Sequence, residues 1–206
     1  PGPVVIVTPE DMLTQMSKVK LPPLSPVLRG EMPSNGVKSL KDSLKNSKKP
    51  LFIIGGSGWS DVACSKFHKF INENNIPVAT SFRRQDLFDH KNENFAGSFG
   101  TSVSPKLIDS TKNSDLIIVL GARLGEMTTQ GYSIISPQDI SKDIMHIHVD
   151  PNELNKVFNA NVCINVGVNE CCDKLEKLTL DNSNRWKQWR NELNKNYLED
   201  SKPQKN

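Results

Sequence analysis

The sequence is short of several things, and each shortage removes a class of function. A membrane helix needs about 20 consecutive apolar residues, and no apolar run in these 206 residues approaches that length. The opening Pro1-Gly2-Pro3-Val4-Val5-Ile6-Val7 is apolar but lacks the basic n-region of a secretory signal. With no initiator Met, the true N-terminus is expected elsewhere. The four cysteines, Cys64, Cys163, Cys171 and Cys172, include no C-x-x-C pair, and two are adjacent. A zinc site is therefore not expected, and the thiols read as reduced ones in a cytoplasmic protein. The basic excess is small, 26 Lys and Arg against 23 Asp and Glu. That balance is too even to argue for nucleic acid or an anionic membrane, and the pairs Lys48-Lys49 and Arg83-Arg84 read as solvated surface. There is no G-x-S-x-G and no Cys–His context, so no catalytic nucleophile is assigned.

What is present is the pattern of a globular chain, 36% hydrophobic and 24% charged, long enough to bury a core. Val4–Val7 reads as a strand. Residues 20–36 carry Pro22, Pro23, Pro26 and Pro33 with little periodicity, which reads as an extended linker. Residues 1–19 thus read as the tail of a preceding domain, 20–35 as a linker, 36–181 as the main domain, and 182–206 as a second linker and a helix.

Within the main domain strands and helices alternate. Helices are expected at Val37–Asn46, Ser60–Asn74, Pro105–Thr111 and Asn169–Leu178, from apolar residues three and four apart. Leu51–Ile54 and Leu116–Leu120 are wholly apolar, as strands buried on both faces are. Ile76–Thr80, Ile144–Val149 and Val162–Val166 complete the strand set. This order predicts an α/β, Rossmann-like, doubly wound fold: a mostly parallel sheet with helices on both faces. A last helix, Arg185–Leu198, aligns Trp186, Trp189, Leu193 and Tyr197 on one face, for packing on a missing domain or back on this one.

Ligands of open parallel sheets bind beyond the C-terminal strand ends, and three features fall there. Gly55-Gly56-Ser57-Gly58 joins a strand to a helix, where glycines let backbone N–H groups reach a phosphate, or simply make a tight turn. Gly121-Ala122-Arg123 leaves room above the sheet, with Arg123 able to bind a phosphate or carboxylate or to pair with Glu126 or Asp150. His146, His148 and Asp150 alternate onto one side of a strand. On a straight strand they diverge over about 13 Å, so no metal is assigned to them. Phe82-Arg83-Arg84-Gln85-Asp86 follows a strand and can overhang such a cleft.

Taken in order, short motifs resemble the thiamine-diphosphate enzymes of the acetolactate synthase type. Gly2-Pro3-Val4 with Pro9-Glu10-Asp11-Met12 is similar to the segment that closes their pyrimidine-binding domain. Gly55-Gly56-Ser57, Ile76–Thr80, Phe95–Thr101, Ser114-Asp115-Leu116, Gly121–Leu124 and His148–Pro151 are similar to their central domain. The resemblance implies a three-domain parent that decarboxylates and ligates 2-oxo acids, as a homodimer or homotetramer whose domains are this one's partners. Thiamine diphosphate and Mg2+ would be held by the other domains, leaving this segment inactive alone. It implies FAD as a possible structural cofactor here, on Gly55, Gly56, Ser57, Thr80, Gly97, Phe99, Gly100, Gly121, Ala122 and Arg123. The family reads G-A-R-F-D-D-R where this chain has Gly121-Ala122-Arg123-Leu124-Gly125-Glu126-Met127, and G-M-H-G-T where it has Gly97–Thr101. The lost acidic–basic segment predicts weak FAD binding or none. A free-standing nucleotide-binding module and a purely structural domain remain the alternatives.

Overall fold

The computed structural model describes residues 3–23, 29–138, 142–181 and 184–203. Gly2, Pro26 and Asn182-Ser183, which figure in the expectations above, lie outside the described residues. Six strands form one all-parallel sheet in the order β3-β2-β1-β4-β5-β6. They are β1 (Pro50–Ile54), β2 (Val78–Thr80), β3 (Phe95–Ser98), β4 (Leu116–Leu120), β5 (Asp143–His148) and β6 (Val162–Asn165). The helices are α1 (Ser34–Asn46), α2 (Asp61–Asn74), α3 (Pro105–Asn113), the single turn α4 (Glu126–Thr129), α5 (Val168–Leu175) and α6 (Lys187–Asp200).

Alternation along the central strands divides the core in two. Phe52, Ile54, Ile118 and Leu120 face one side, where Leu40 and Leu44 of α1, Phe67 and Phe70 of α2, and Cys171 and Leu175 of α5 cover them. Leu51, Ile53, Ile117 and Val119 face the other, under Leu107 of α3 and Trp189 and Leu193 of α6. This is the doubly wound arrangement. In α2 the Ser60 hydroxyl accepts from Ala63 N at 3.2 Å at the start, and Asn75 closes the end in the left-handed region at φ 54°.

The terminal helix turns back on this domain. Trp186 Nε1 donates to Ser47 O at 3.1 Å and Trp189 Nε1 to Pro50 O at 3.0 Å, so α6 crosses the N-terminal end of the sheet. Asn194 Nδ2 donates to Phe95 O at 2.9 Å, which occupies a backbone acceptor of the edge strand β3.

Three expectations differ from the structure. Val4–Val7 forms no strand: these residues are 81–84% exposed, and a strand needs a neighbour to bond its peptide groups. β3 was not expected as a strand, because it has four residues and contains Gly97 at φ 126°. β2 starts at Val78 rather than Ile76, since Pro77 brings no N–H to the ladder.

Candidate functional site

The strand order reverses between β1 and β4, so the turns leaving these two strands diverge to opposite faces and open a crevice between them. Both turns are glycine turns, and they touch. Gly56 sits at φ 70°, and a Cβ there would lie 1.8 Å from Gly121 O. Gly121 sits at φ 71°, and its Cβ would meet Val168 Cγ1 at 2.6 Å and Gly55 O at 2.7 Å. Positive φ and backbone contact both require glycine here, with or without a ligand. Gly58 differs: at φ 88°, its Cβ would meet nothing within 4 Å among the described residues, so this part of the loop borders open space.

Above the crevice lies a cleft of about 1260 Å³. Gly56, Ser57, Gly121 and Arg123 line it, as do Phe82 and Arg84 of the segment expected to overhang it. The other proposed contact positions sit elsewhere. Gly55 is shielded by Ser81, whose Oγ would be 1.9 Å from a Cβ. Thr80 is buried and shares a 2.8 Å hydrogen bond with Ser98. Phe99 and Ala122 are core residues. Gly97 packs under Leu107, and Gly100 faces Phe82 while its carbonyl accepts from Gln130.

The charges of the cleft nearly cancel. Three arginines line it, Arg29, Arg84 and Arg123, with four carboxylates, Glu31, Glu126, Asp150 and Glu170. Each arginine already faces an acid. Arg29 is 3.6 Å from Glu170, Arg84 grips Asp86 through two bonds of 3.1 and 3.0 Å, and Arg123 is 3.6 Å from Glu153. The last partner is neither of the two expected from sequence. The Arg84 hydrogen bonds hold the Asp86 carboxyl below its ordinary range. Arg123 keeps 69% of its side chain exposed, so its pairing is weak.

The histidines spend ring nitrogens on backbone. His146 Nε2 donates to Ala122 O at 3.0 Å, and burial holds its pKa below the ordinary value, so the ring is neutral. His148 Nδ1 accepts from Asp150 N at 3.0 Å. Asp150 caps the turn Pro151–Glu153 by accepting from Asn152 N at 2.9 Å. Among the described residues no group of three His, Cys, Asp or Glu side chains could hold a metal ion. No helix of the described residues is long and apolar enough to cross a membrane.

Two contributors escaped the sequence reading. Arg29, Gly30 and Glu31, read as linker, form a wall of the cleft, fixed by Met32, which is 2% exposed in the core. Asn169 bridges to the glycine loop. Its only sequence signal is an Asn two residues beyond Gly167 at the start of a helix.

The family model for the central domain of thiamine pyrophosphate enzymes matches residues 37–175, which carry the sheet and five of its helices. The chain belongs to this family. The domain is similar to acetolactate synthase large subunits. It is 27% identical over 172 residues to that of Buchnera aphidicola subsp. Schlechtendalia chinensis, covering 80% of this chain and 29% of the relative. The Haemophilus influenzae subunit is 25% identical over 164 residues, 76% of this chain and 28% of the relative. The isozyme 2 large subunit of Escherichia coli K12 is 23% identical over 179 residues, 86% and 32%. The chain spans about three-tenths of the length of these relatives.

Proposed function

We propose that this domain is the central scaffold of an acetolactate synthase-like enzyme and offers a nucleotide cleft, with the chemistry carried by the neighbouring domains. In this reading the parent decarboxylates and ligates 2-oxo acids with thiamine diphosphate and Mg2+ held outside residues 3–203. The observation that carries it is the cleft at the β1–β4 reversal, whose glycine turns are packed and preformed and whose arginines each face a carboxylate. In this reading the loops and helices around it position neighbours and bind.

FAD fits this cleft in part. The open backbone at Gly58 and a volume of about 1260 Å³ leave room for a dinucleotide, being larger than the roughly 300–1,000 Å³ of clefts for drug-sized ligands. The charge does not suit it: a diphosphate needs a cationic lining, and the three cleft arginines stand among four carboxylates. We therefore assign weak nucleotide binding and no retained flavin.

The test is to compare the full-length parent with residues 1–206, using pyruvate, thiamine diphosphate and Mg2+. Acetolactate should form with the parent only, and the purified domain should show no flavin absorbance after gel filtration. Acetolactate made by the domain alone would contradict the scaffold role, and a yellow domain would contradict the nucleotide assignment.

A further inference from the structure

A second, smaller pocket opens beside the cleft, between the loops that leave β4 and β5. Arg123 and Gly125 line both spaces, so the two adjoin. Both loops leave C-terminal strand ends, where parallel sheets take their ligands. At about 220 Å³ the pocket is smaller than the roughly 300–1,000 Å³ of clefts for drug-sized ligands, which suits a single ring system and not a whole dinucleotide.

Its walls are aromatic. Phe158 is buried, and the Tyr132 ring stands 6.1 Å from it at a tilt of 47°. Gln130, Gly131 and Tyr132 all lie in the left-handed region, at φ 51°, 64° and 63°, where a bulky residue such as Tyr132 is uncommon. That turn is tied by Thr129 Oγ1, which accepts from Tyr132 N at 3.1 Å. The opposite loop is tied by Asn155, whose Oδ1 accepts from Ala160 N at 3.0 Å. Charges stand at the mouth: Arg123 and Lys156, both more than half exposed, face Glu153 at 3.6 and 3.0 Å.

The polar group inside is His146. It pairs in register with Val119 of β4 and so faces the same side of the sheet. Its ring is neutral and its proton sits on Nε2, because Ala122 O can only accept. Nδ1 is therefore an acceptor. It has no hydrogen-bond partner among the described residues, yet it is not sealed from solvent. His146 is only 5% exposed, and the open space it lines is this pocket. Glu153, beside it, can likewise only accept. We propose that the pocket is a base-binding subsite of the cleft, taking an uncharged, amino-substituted heteroaromatic ring against Tyr132 and Phe158, with an N–H of that ring system donating to His146 Nδ1. The choice of a nucleobase rests on reading the cleft as a nucleotide site; the aromatic walls and the waiting acceptor do not.

The test titrates the 206-residue chain with 9-methyladenine and 9-methylpurine, which differ by one amino group, and follows the 15N signal of His146 Nδ1. One hydrogen bond to a neutral acceptor should make 9-methyladenine bind about three- to tenfold more tightly than 9-methylpurine. Only 9-methyladenine should move the Nδ1 signal upfield, as a ring nitrogen does on accepting a hydrogen bond. His146→Phe should abolish the preference, and Tyr132→Ala should weaken both bases while keeping their ratio. The wild-type comparison and the nitrogen signal need no variant, so a misfolded His146→Phe leaves the test intact. Equal affinities in the wild type, or an Nδ1 signal unmoved by 9-methyladenine, would overturn the proposal. Adenosine that shifts the glycine amides of the cleft and leaves Nδ1 in place would overturn the subsite and keep the nucleotide reading. A 9-methyladenine response at Nδ1 with no adenosine binding would support the subsite and remove the nucleotide reading.

Discussion

Replacing Gly56 by alanine tests the closeness of the two glycine turns. Two costs add. At φ 70° an L-residue is in the left-handed region, which costs about 1–2 kcal/mol. The new Cβ would also lie 1.8 Å from Gly121 O, a backbone atom with no rotamer to escape into. Relieving that overlap must part the ends of β1 and β4, and forced insertions into packed sites cost about 1–3 kcal/mol. The expected loss is therefore about 2–5 kcal/mol. Gly58→Ala is the control, because at φ 88° it meets the same backbone penalty in open space and should cost only about 1–2 kcal/mol. Urea unfolding followed by circular dichroism measures both, given an unchanged slope with denaturant. Equal losses in the two variants would refute the turn-to-turn contact.

Two further outcomes follow from buried groups. Burial lowers the His146 pKa in the folded chain, so the unfolded chain takes up a proton first, near the ordinary value of about 6.5. Stability is then full above that value and falls as pH drops through it toward the folded value. His146→Gln keeps a donor for Ala122 O and should flatten the fall in melting temperature between about pH 7 and pH 5.5; an unchanged slope would assign the effect elsewhere. Thiol labelling at neutral pH should modify the exposed Cys163 first. Cys171, pushed up to about 12 by burial, and Cys172, raised in the same way, should react only on unfolding. Rapid labelling of all four thiols in native protein would contradict the packing of α5.

The parts of this fold that are legible in the sequence are those set by local pattern. Leu51–Ile54 and Leu116–Leu120 are apolar at every position because both faces of their strands are covered, and each ends at the glycine that the turn requires. The helix from Asp61 has its apolar residues on one stripe and its cap at Ser60. The parts that are not legible depend on distant partners. β3 is a strand because Val78 and Thr80 pair with it and α6 covers it, against the preference of Gly97. Val4–Val7 has the pattern of a strand and no neighbour among the described residues. At the cleft, Gly56 and Gly121 could be picked from their position at strand ends. That Arg123 pairs with Glu153, and that Asn169 reaches back to Ser60, are matters of chain path that no local pattern records.

The central claim is that the crevice between β1 and β4 is the ligand site of this domain. Titrating the 15N-labelled chain with adenosine and following backbone amide shifts tests it most directly. The amides of Gly56, Gly58, Gly121 and Gly167 should shift together and saturate, while those of Gly97, beneath Leu107, and Gly100, behind Phe82, stay in place. Saturating shifts confined to Gly97 and Gly100, or none at any glycine, would contradict it.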